Sequence, residues 1–223
     1  MSDLTLRGNV QQDSYSSGGE GSNIFGRFNR RGELIVPDWM TQLAADGRVF
    51  NASNAIQETA VLFGETARGT DNINPSILVD CPSGTTIVPL EIIISTSGTG
   101  TAGDYTVYVV TDDGLRYSSG GAAVTPVNMH KSDPRTSACS VYQGGTQIVA
   151  TANTDDDTIY VRRLDELEVT TAPQHQPVIW SARNNIPPIL YGPAALLVFV
   201  IVGNVDASFY FSVKWAEIPS VSM

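Results

Sequence analysis

The last long run of the chain, SFYFSVKWAEI (Ser208 to Ile218), places Phe209, Phe211, Val213 and Trp215 on one parity and Tyr210, Ser212 and Lys214 on the other. A period of two marks a strand with one face in a core, and large apolar side chains on a single parity require an opposing apolar layer. Shorter runs of the same character precede it: Gln57 to Phe63, Ser76 to Asp80, Thr85 to Ser95, Asp104 to Thr111, Val124 to His130, Ala138 to Gln143, Thr146 to Ala150, Thr158 to Leu164, Gln176 to Ser181 and Ala194 to Val202. The segments GTGTAG, SSGG, QGG, NTDDDT and GNVDAS punctuate them and read as turns. No helix-length amphipathic segment interrupts the series, which disfavours parallel α/β architecture. The spacing predicts an all-β, antiparallel two-sheet β-sandwich of Greek-key or jelly-roll type. No self-repeat is visible at the periods of about 20 to 50 residues that mark propellers and solenoids.

Two of these runs carry more specific expectations. Ala194 to Val202 is apolar on both parities and rich in Val and Ile, so it reads as a strand buried on both faces. The longer stretch IPPILYGPAALLVFVIVGNV approaches the ~20 residues of a membrane span, but Pro187, Pro188, Gly192 and Pro193 break it, and no transmembrane segment is expected. Thr85 to Ser95 puts Val88, Leu90, Ile92 and Ile94 on one parity, with Pro89 on the other as the sign of an edge or a bulge. One helix is predicted, from Pro37-Asp38 through WMTQLAAD to the stop at Gly47. Residues 1–24 are rich in Gly, Ser and Gln without periodicity and read as a flexible arm. The predicted organisation is thus an arm over residues 1–50 with a short helix at about 37–46, and a β-sandwich over residues 51–223.

The formal charge of −10 opposes phosphate backbones and anionic lipid heads, and lysine occurs only at Lys131 and Lys214, so no specific nucleic-acid contact is expected. MSDLTLRGNV has no basic region followed by an apolar run and shows no signal peptide, which points to synthesis in a cytoplasm. Cys81 and Cys139 have no metal-ligand spacing and read as two buried thiols, a bridge between them being the alternative.

Catalytic vocabulary is sparse. His130 and His175 both sit in loop-like settings and read as surface side chains, and no nucleophile elbow, P-loop or zinc-protease motif is present. The chain therefore reads as a non-enzyme. Asp155, Asp156 and Asp157 are the best metal candidates: clustered hard oxygens in a tight loop suit calcium at a subunit interface, against the plainer reading of a solvated acidic turn. Asp112-Asp113-Gly114 reads as a turn, and Asp165, Glu166 and Glu168 have the charge to pair with Arg162 and Arg163 across an interface or to lie at an exposed strand end. Asn51-Ala52-Ser53 matches a glycosylation sequon without secretory context. Phe25, Arg27, Phe28, Arg30 and Arg31 form a basic, aromatic cluster that suits a subunit contact at the base of the arm.

The arm with one short helix, the strand-dense remainder and the closing pair LLVFVIVG and SFYFSVKWAEI together resemble, over most of the chain, the single jelly-roll coat proteins of icosahedral viruses and phages. The resemblance implies a structural virion protein that forms trimers or pentamers within a shell, with arms ordering under neighbouring subunits and other virion proteins as partners. The family's arm is usually strongly basic, whereas residues 1–24 hold one Arg and no Lys. That departure shifts the expectation from genome packaging toward a phage capsid, vertex or decoration protein. The alternatives are a tail-fibre or receptor-binding sandwich of a phage, and a carbohydrate-binding, lectin-like domain.

Overall fold

The computed structural model describes residues 38–54, 61–62, 74–96, 103–150, 157–166, 177–202 and 208–219. Among these residues, helix α1 (Trp39–Ala45) precedes thirteen strands: β1 (Val49–Ser53), β2 (Val61–Leu62), β3 (Ile77–Cys81), β4 (Thr85–Thr96), β5 (Gly103–Asp112), β6 (Tyr117–Val124), β7 (Val127–Asn128), β8 (Ser140–Ala150), β9 (Asp157–Glu166), β10 (Val178–Ser181), β11 (Leu190–Tyr191), β12 (Ala194–Val202) and β13 (Ser208–Pro219). All pair antiparallel. One sheet runs β10-β4-β13-β1-β7, with β11 also on β4 and β2 also on β13; the other runs β6-β8-β3-β12-β5-β9. Among the described residues no helix is long and apolar enough to cross a membrane.

Within this sandwich, β1-β13-β4-β10 faces β3-β12-β5-β9. The chain changes sheet from β1 to β3, from β3 to β4 and from β4 to β5, returns after β6, β7 and β8 to β9 beside β5 in the same sheet, and then changes again at β10, β12 and β13. That wrapping is a jelly roll, with the β6 to β8 segment inserted between its fourth and fifth strands.

The shared core lies between the sheets. Phe209, Phe211, Val213 and Trp215 of β13 are buried there with Ile92 and Ile94 of β4, and meet Ile77 and Val79 of β3, Val107 and Val109 of β5, and Leu196, Val198 and Val200 of β12. β13 is central in its sheet. It pairs with β4 from Phe209↔Thr96 to Pro219↔Thr85 and with β1 from Val49↔Ala216 to Ser53↔Ser212. Beyond Ser53 the Asn54 side chain continues the ladder: its Nδ2 donates to the Phe209 carbonyl at 3.1 Å and its Oδ1 accepts from the Phe211 N–H at 2.9 Å.

The irregularity expected at Pro89 is a bulge and not an edge. Lys214 pairs with Glu91 but Trp215 pairs with Pro89, so Leu90 has no partner on β13, and its carbonyl accepts from the Ala182 N–H at 2.9 Å instead. The extra residue reverses parity. Ile92 and Ile94 therefore face the shared core, whereas Val88 and Leu90 face outward and are buried with Ala216 and Val49 beneath Met40, Leu43 and Ala44 of α1. The single-face reading of β4 was wrong for this reason.

The second sheet is also covered on its outer face. β12 is buried at every residue from Ala194 to Val200, as its sequence predicts. Ala195, Leu197 and Phe199 point away from the shared core and pack with Leu78, Val110 and Ile148, bordered by Tyr117 and Tyr142. Tyr117 and Tyr142 stack with ring centroids 3.5 Å apart. The cover comes from β6 and the second half of β8, which pairs with β6 after β8 has left β3.

Other differences from the sequence reading follow from local chemistry. Ala138 to Gln143 and Thr146 to Ala150 merge into β8 across QGG, and SSGG lies inside β6. Gly121 explains the latter: its φ is +65°, and a Cβ there would stand 2.5 Å from Ile148 Cγ1, so a register shift beside it requires glycine without ending the strand. β1, with its sequon Asn51, is an interior strand: Asn51 Oδ1 accepts from Ser212 Oγ at 2.7 Å. Gly192 packs so closely on the connection between β3 and β4 that a Cβ would lie 1.9 Å from the Pro82 carbonyl oxygen.

Removing β13 exposes both its neighbours and half the core. A chain ending at Asp206 is expected to lose cooperative unfolding in urea, and Trp215→Ala in the full chain to cost about 3–5 kcal/mol by the same measurement.

Candidate functional site

At one end of the sandwich, where β5 stops and β9 begins, a cleft of about 360 Å³ opens against the segment leading into β12. Thr111, Asp112, Asp113 and Asp157 form one wall, and Ile189 and Tyr191 stand on the other. Asp113 and Asp157 are exposed, as are Ile189 and Tyr191, so the cleft offers carboxylates beside an aromatic ring and an aliphatic side chain.

Asp112 is already committed. It ends β5 with its carboxylate buried, Oδ1 accepting from the Gly114 N–H at 2.9 Å and Oδ2 lying 3.3 Å from Arg116 Nη1. The first contact is the Asx turn that DDG predicts. The second is a buried ion pair, with Arg116 only 2% exposed. Among the described residues, Arg116 Nε and Nη2 have no acceptor.

Asp80 fixes the other side of this corner. It projects from β3 on the outer-face parity, and its two carboxylate oxygens accept from the Arg116 and Tyr117 N–H groups, each at 3.0 Å. Burial pushes its carboxyl above the ordinary 3.8, more than those two N–H groups and the Arg116 charge pull it down, while Asp112 pushes in the same direction as burial. The carboxylate thus pins the start of β6 over the outer face of the second sheet.

Of the expected metal triplet, Asp157 lies on the cleft as the first residue of β9, opposite Thr111. Asp155 and Asp156 fall outside the described residues, as do Phe25, Arg27, Phe28, Arg30, Arg31, Glu168 and His175. Among the described residues no three His, Cys, Asp or Glu side chains are placed to hold a metal ion. Arg162 and Arg163 lie on β9, paired with Val107 and Thr106. His130 is on an exposed turn with Nδ1 4.0 Å from Asp133 Oδ2. Arg135 dominates that turn: its guanidinium binds Asp133 through Nε and Nη2, holding the Asp133 carboxyl below its ordinary value, and reaches the Asp46 carbonyl at the end of α1.

The residue the sequence reading missed is Arg116. Its signal was present, since DDGLR puts an arginine four positions after Asp112 around a tight turn, but a turn ordinarily leaves such a side chain in water.

No protein-family model matches this chain, and neither a curated protein nor a solved structure does.

Arg116→Met leaves the Asp112 carboxylate buried without its cation and is expected to lower stability by about 3 kcal/mol in urea melts. For Asp80, the raised folded-state value means that the folded chain holds this proton more tightly than the unfolded one. The stability contributed by that proton is complete below about pH 3.8 and is lost as pH rises through the raised value. Asp80→Asn does not titrate, so the stability of wild type relative to this variant should increase as pH falls through that window. A difference independent of pH would contradict the burial assignment.

Proposed function

We propose that this protein is a structural coat subunit of an icosahedral virus or phage, a capsid, vertex or decoration protein that works by associating with copies of itself and with other virion proteins. The jelly-roll topology agrees with that reading, but the fold serves many functions. The observation that carries the proposal is the placement of exposed apolar side chains. Val127 on β7, Ile179 on β10 and Val161 on β9 stand on strands at the sheet edges, and Ile186, Ile189 and Tyr191 crowd the connection from β10 to β12, Ile186 being 96% exposed. Strand edges carrying large apolar side chains are surfaces that lone proteins tend to blunt and that neighbours cover.

The acidic charge and the lack of a basic arm favour a layer that does not hold nucleic acid itself. Calcium at Asp155–Asp157 belongs to the same proposal, as an ion between neighbouring subunits.

A second reading, a receptor-binding sandwich, is favoured by one feature: Asp113 and Asp157 flank a cleft with Tyr191 on the facing wall, a combination suited to hydroxyl-rich ligands.

Light scattering and negative-stain imaging of the purified protein, with and without chelator, separate the two. The coat reading expects rings or shells that dissociate on chelation, and expects Ile179→Asp together with Ile186→Asp to reduce the assembled fraction at least tenfold without altering thermal unfolding of the subunit. A protein that stays a monomer or free trimer at all concentrations, and binds selectively on a glycan array, would replace it with the second reading.

A further inference from the structure

The chain has two cysteines, and the fold brings them together. Strands β3 and β8 pair with Asp80 opposite Ser140, so one step further along the ladder Cys81 faces Cys139. Both are free, both are buried, and both belong to the core cluster between the sheets. The two thiols are close enough to act on each other's protons, and the Cys81 thiol donates to the Thr85 carbonyl at 3.3 Å.

We propose that Cys81 and Cys139 form a thiol–disulfide exchange site that closes into a cross-strand disulfide on reaction with a small disulfide such as oxidised glutathione, and reopens under dithiols. Directly opposed residues of an antiparallel pair hold their Cβ atoms roughly 4.5–5.5 Å apart, and a disulfide needs about 3.5–4.5 Å. The remaining approach of about an ångström falls on the Cys139 side. Cys81 ends a strand held on both sides by β8 and β12, whereas Cys139 precedes β8 in an irregular lead-in.

That lead-in also supplies access. Ala138 and Ser140 on either side of Cys139 are exposed, and the lead-in is latched by one carboxylate: Glu217 accepts from the Ala138 N–H at 2.9 Å and from Ser137 Oγ, and is itself held by Trp215 Nε1 at 2.9 Å. Lifting Ser137 to Cys139 breaks these few contacts and leaves the sheets intact.

In the closed fold the contact with Cys81 and burial push the Cys139 thiol up; once the lead-in lifts, that thiol meets water, loses its proton and attacks one sulfur of oxidised glutathione, forming a mixed disulfide and releasing one glutathione thiolate. As the lead-in reseats, the Cys81 thiolate attacks the Cys139 sulfur and displaces the second glutathione. Two protein thiols are oxidised to one disulfide, one glutathione disulfide is reduced to two thiols, and the two protons pass to the departing thiolates. The site stays open where glutathione is kept reduced and closes once the protein leaves such a compartment. It stands independently of the coat reading.

The test is to incubate the native full chain with oxidised glutathione, quench with N-ethylmaleimide and measure intact mass. The expected product carries no maleimide, is lighter than the reduced protein by ~2 Da, yields a peptide joining Cys81 to Cys139, and returns to two alkylatable thiols under dithiothreitol. Cys81→Ser is expected to stop at one glutathione on Cys139. Two thiols still alkylatable at equilibrium in the native protein, cross-linking only in urea, or a disulfide between two chains would each overturn the proposal.

Discussion

The aromatic parity of β13 is the interaction on which the rest of the structure depends. This strand lies between β4 and β1, so the ladders on both sides of the first sheet run through it. Its inward side chains also supply the ring surface against which the second sheet closes, and Trp215 lies 6.4 Å from Phe50 on the neighbouring strand. Fully burying one such side chain is worth about 1.5–3 kcal/mol. The pairing of β1 with β13 joins residues far apart in sequence, from Val49↔Ala216 to Ser53↔Ser212. Such contacts are closed against loop entropy, so the hydrophobic gain has to be concentrated where they form.

The polar interactions that matter serve the layers outside this core. Asp80 turns its carboxylate away from the shared interior and holds the start of β6 through two backbone N–H groups. Asp112 and Arg116 then occupy the corner between β5 and β6 as a buried pair. A buried pair of this kind is weak evidence for stability, because desolvation offsets most of the attraction. Its defensible role is geometric: it fixes where the chain turns from the end of β5 to the cover formed by β6. On the opposite sheet Lys214 pairs with Glu91 and Ser212 with Asn51 across the outer face of β13, beyond the part that α1 covers.

How much of this was legible follows from which residues speak locally. The parity of β13, the two-sided burial of β12, the helix after Pro37 and the turn at Asp112 all depend on period or turn chemistry within a few residues, and each is found where the sequence put it. β6 was not legible. YSSGGAAV has turn composition and an exposed pattern, and its strand character comes from pairing with β8. Nor was the reversal of parity in β4, since Pro89 announced an irregularity but not which neighbouring residue would lose its partner. The burial of Arg116 and the meeting of Cys81 with Cys139 are products of topology alone: thiols far apart in sequence become neighbours only once β3 pairs with β8. For the acidic triplet, the sequence singled out Asp157 only as a cation candidate in an acidic loop; that it lines a cleft depends on the connection between β10 and β12, which no local pattern announces.

The layers also limit where a coat subunit of this shape would touch its neighbours. The outer face of the second sheet is occupied by β6 and the end of β8, and that of the first by α1 and its polar pairs, so broad face-to-face stacking of sandwiches has little apolar surface to use. Among the described residues, exposed large apolar side chains stand at the narrow edges, with Val127, Val161 and Ile179, and in turns and end loops, with Leu115, Met129, Ile186, Ile189 and Tyr191, besides Trp39 on α1. Edge and end contacts fix angles between neighbours more closely than a flat face does, because a strand edge offers one hydrogen-bonding direction and a loop end offers one steric fit. On the proposed coat reading, a subunit whose described faces are covered by its own chain would meet its neighbours laterally, through edges and ends, the geometry that a closed shell needs.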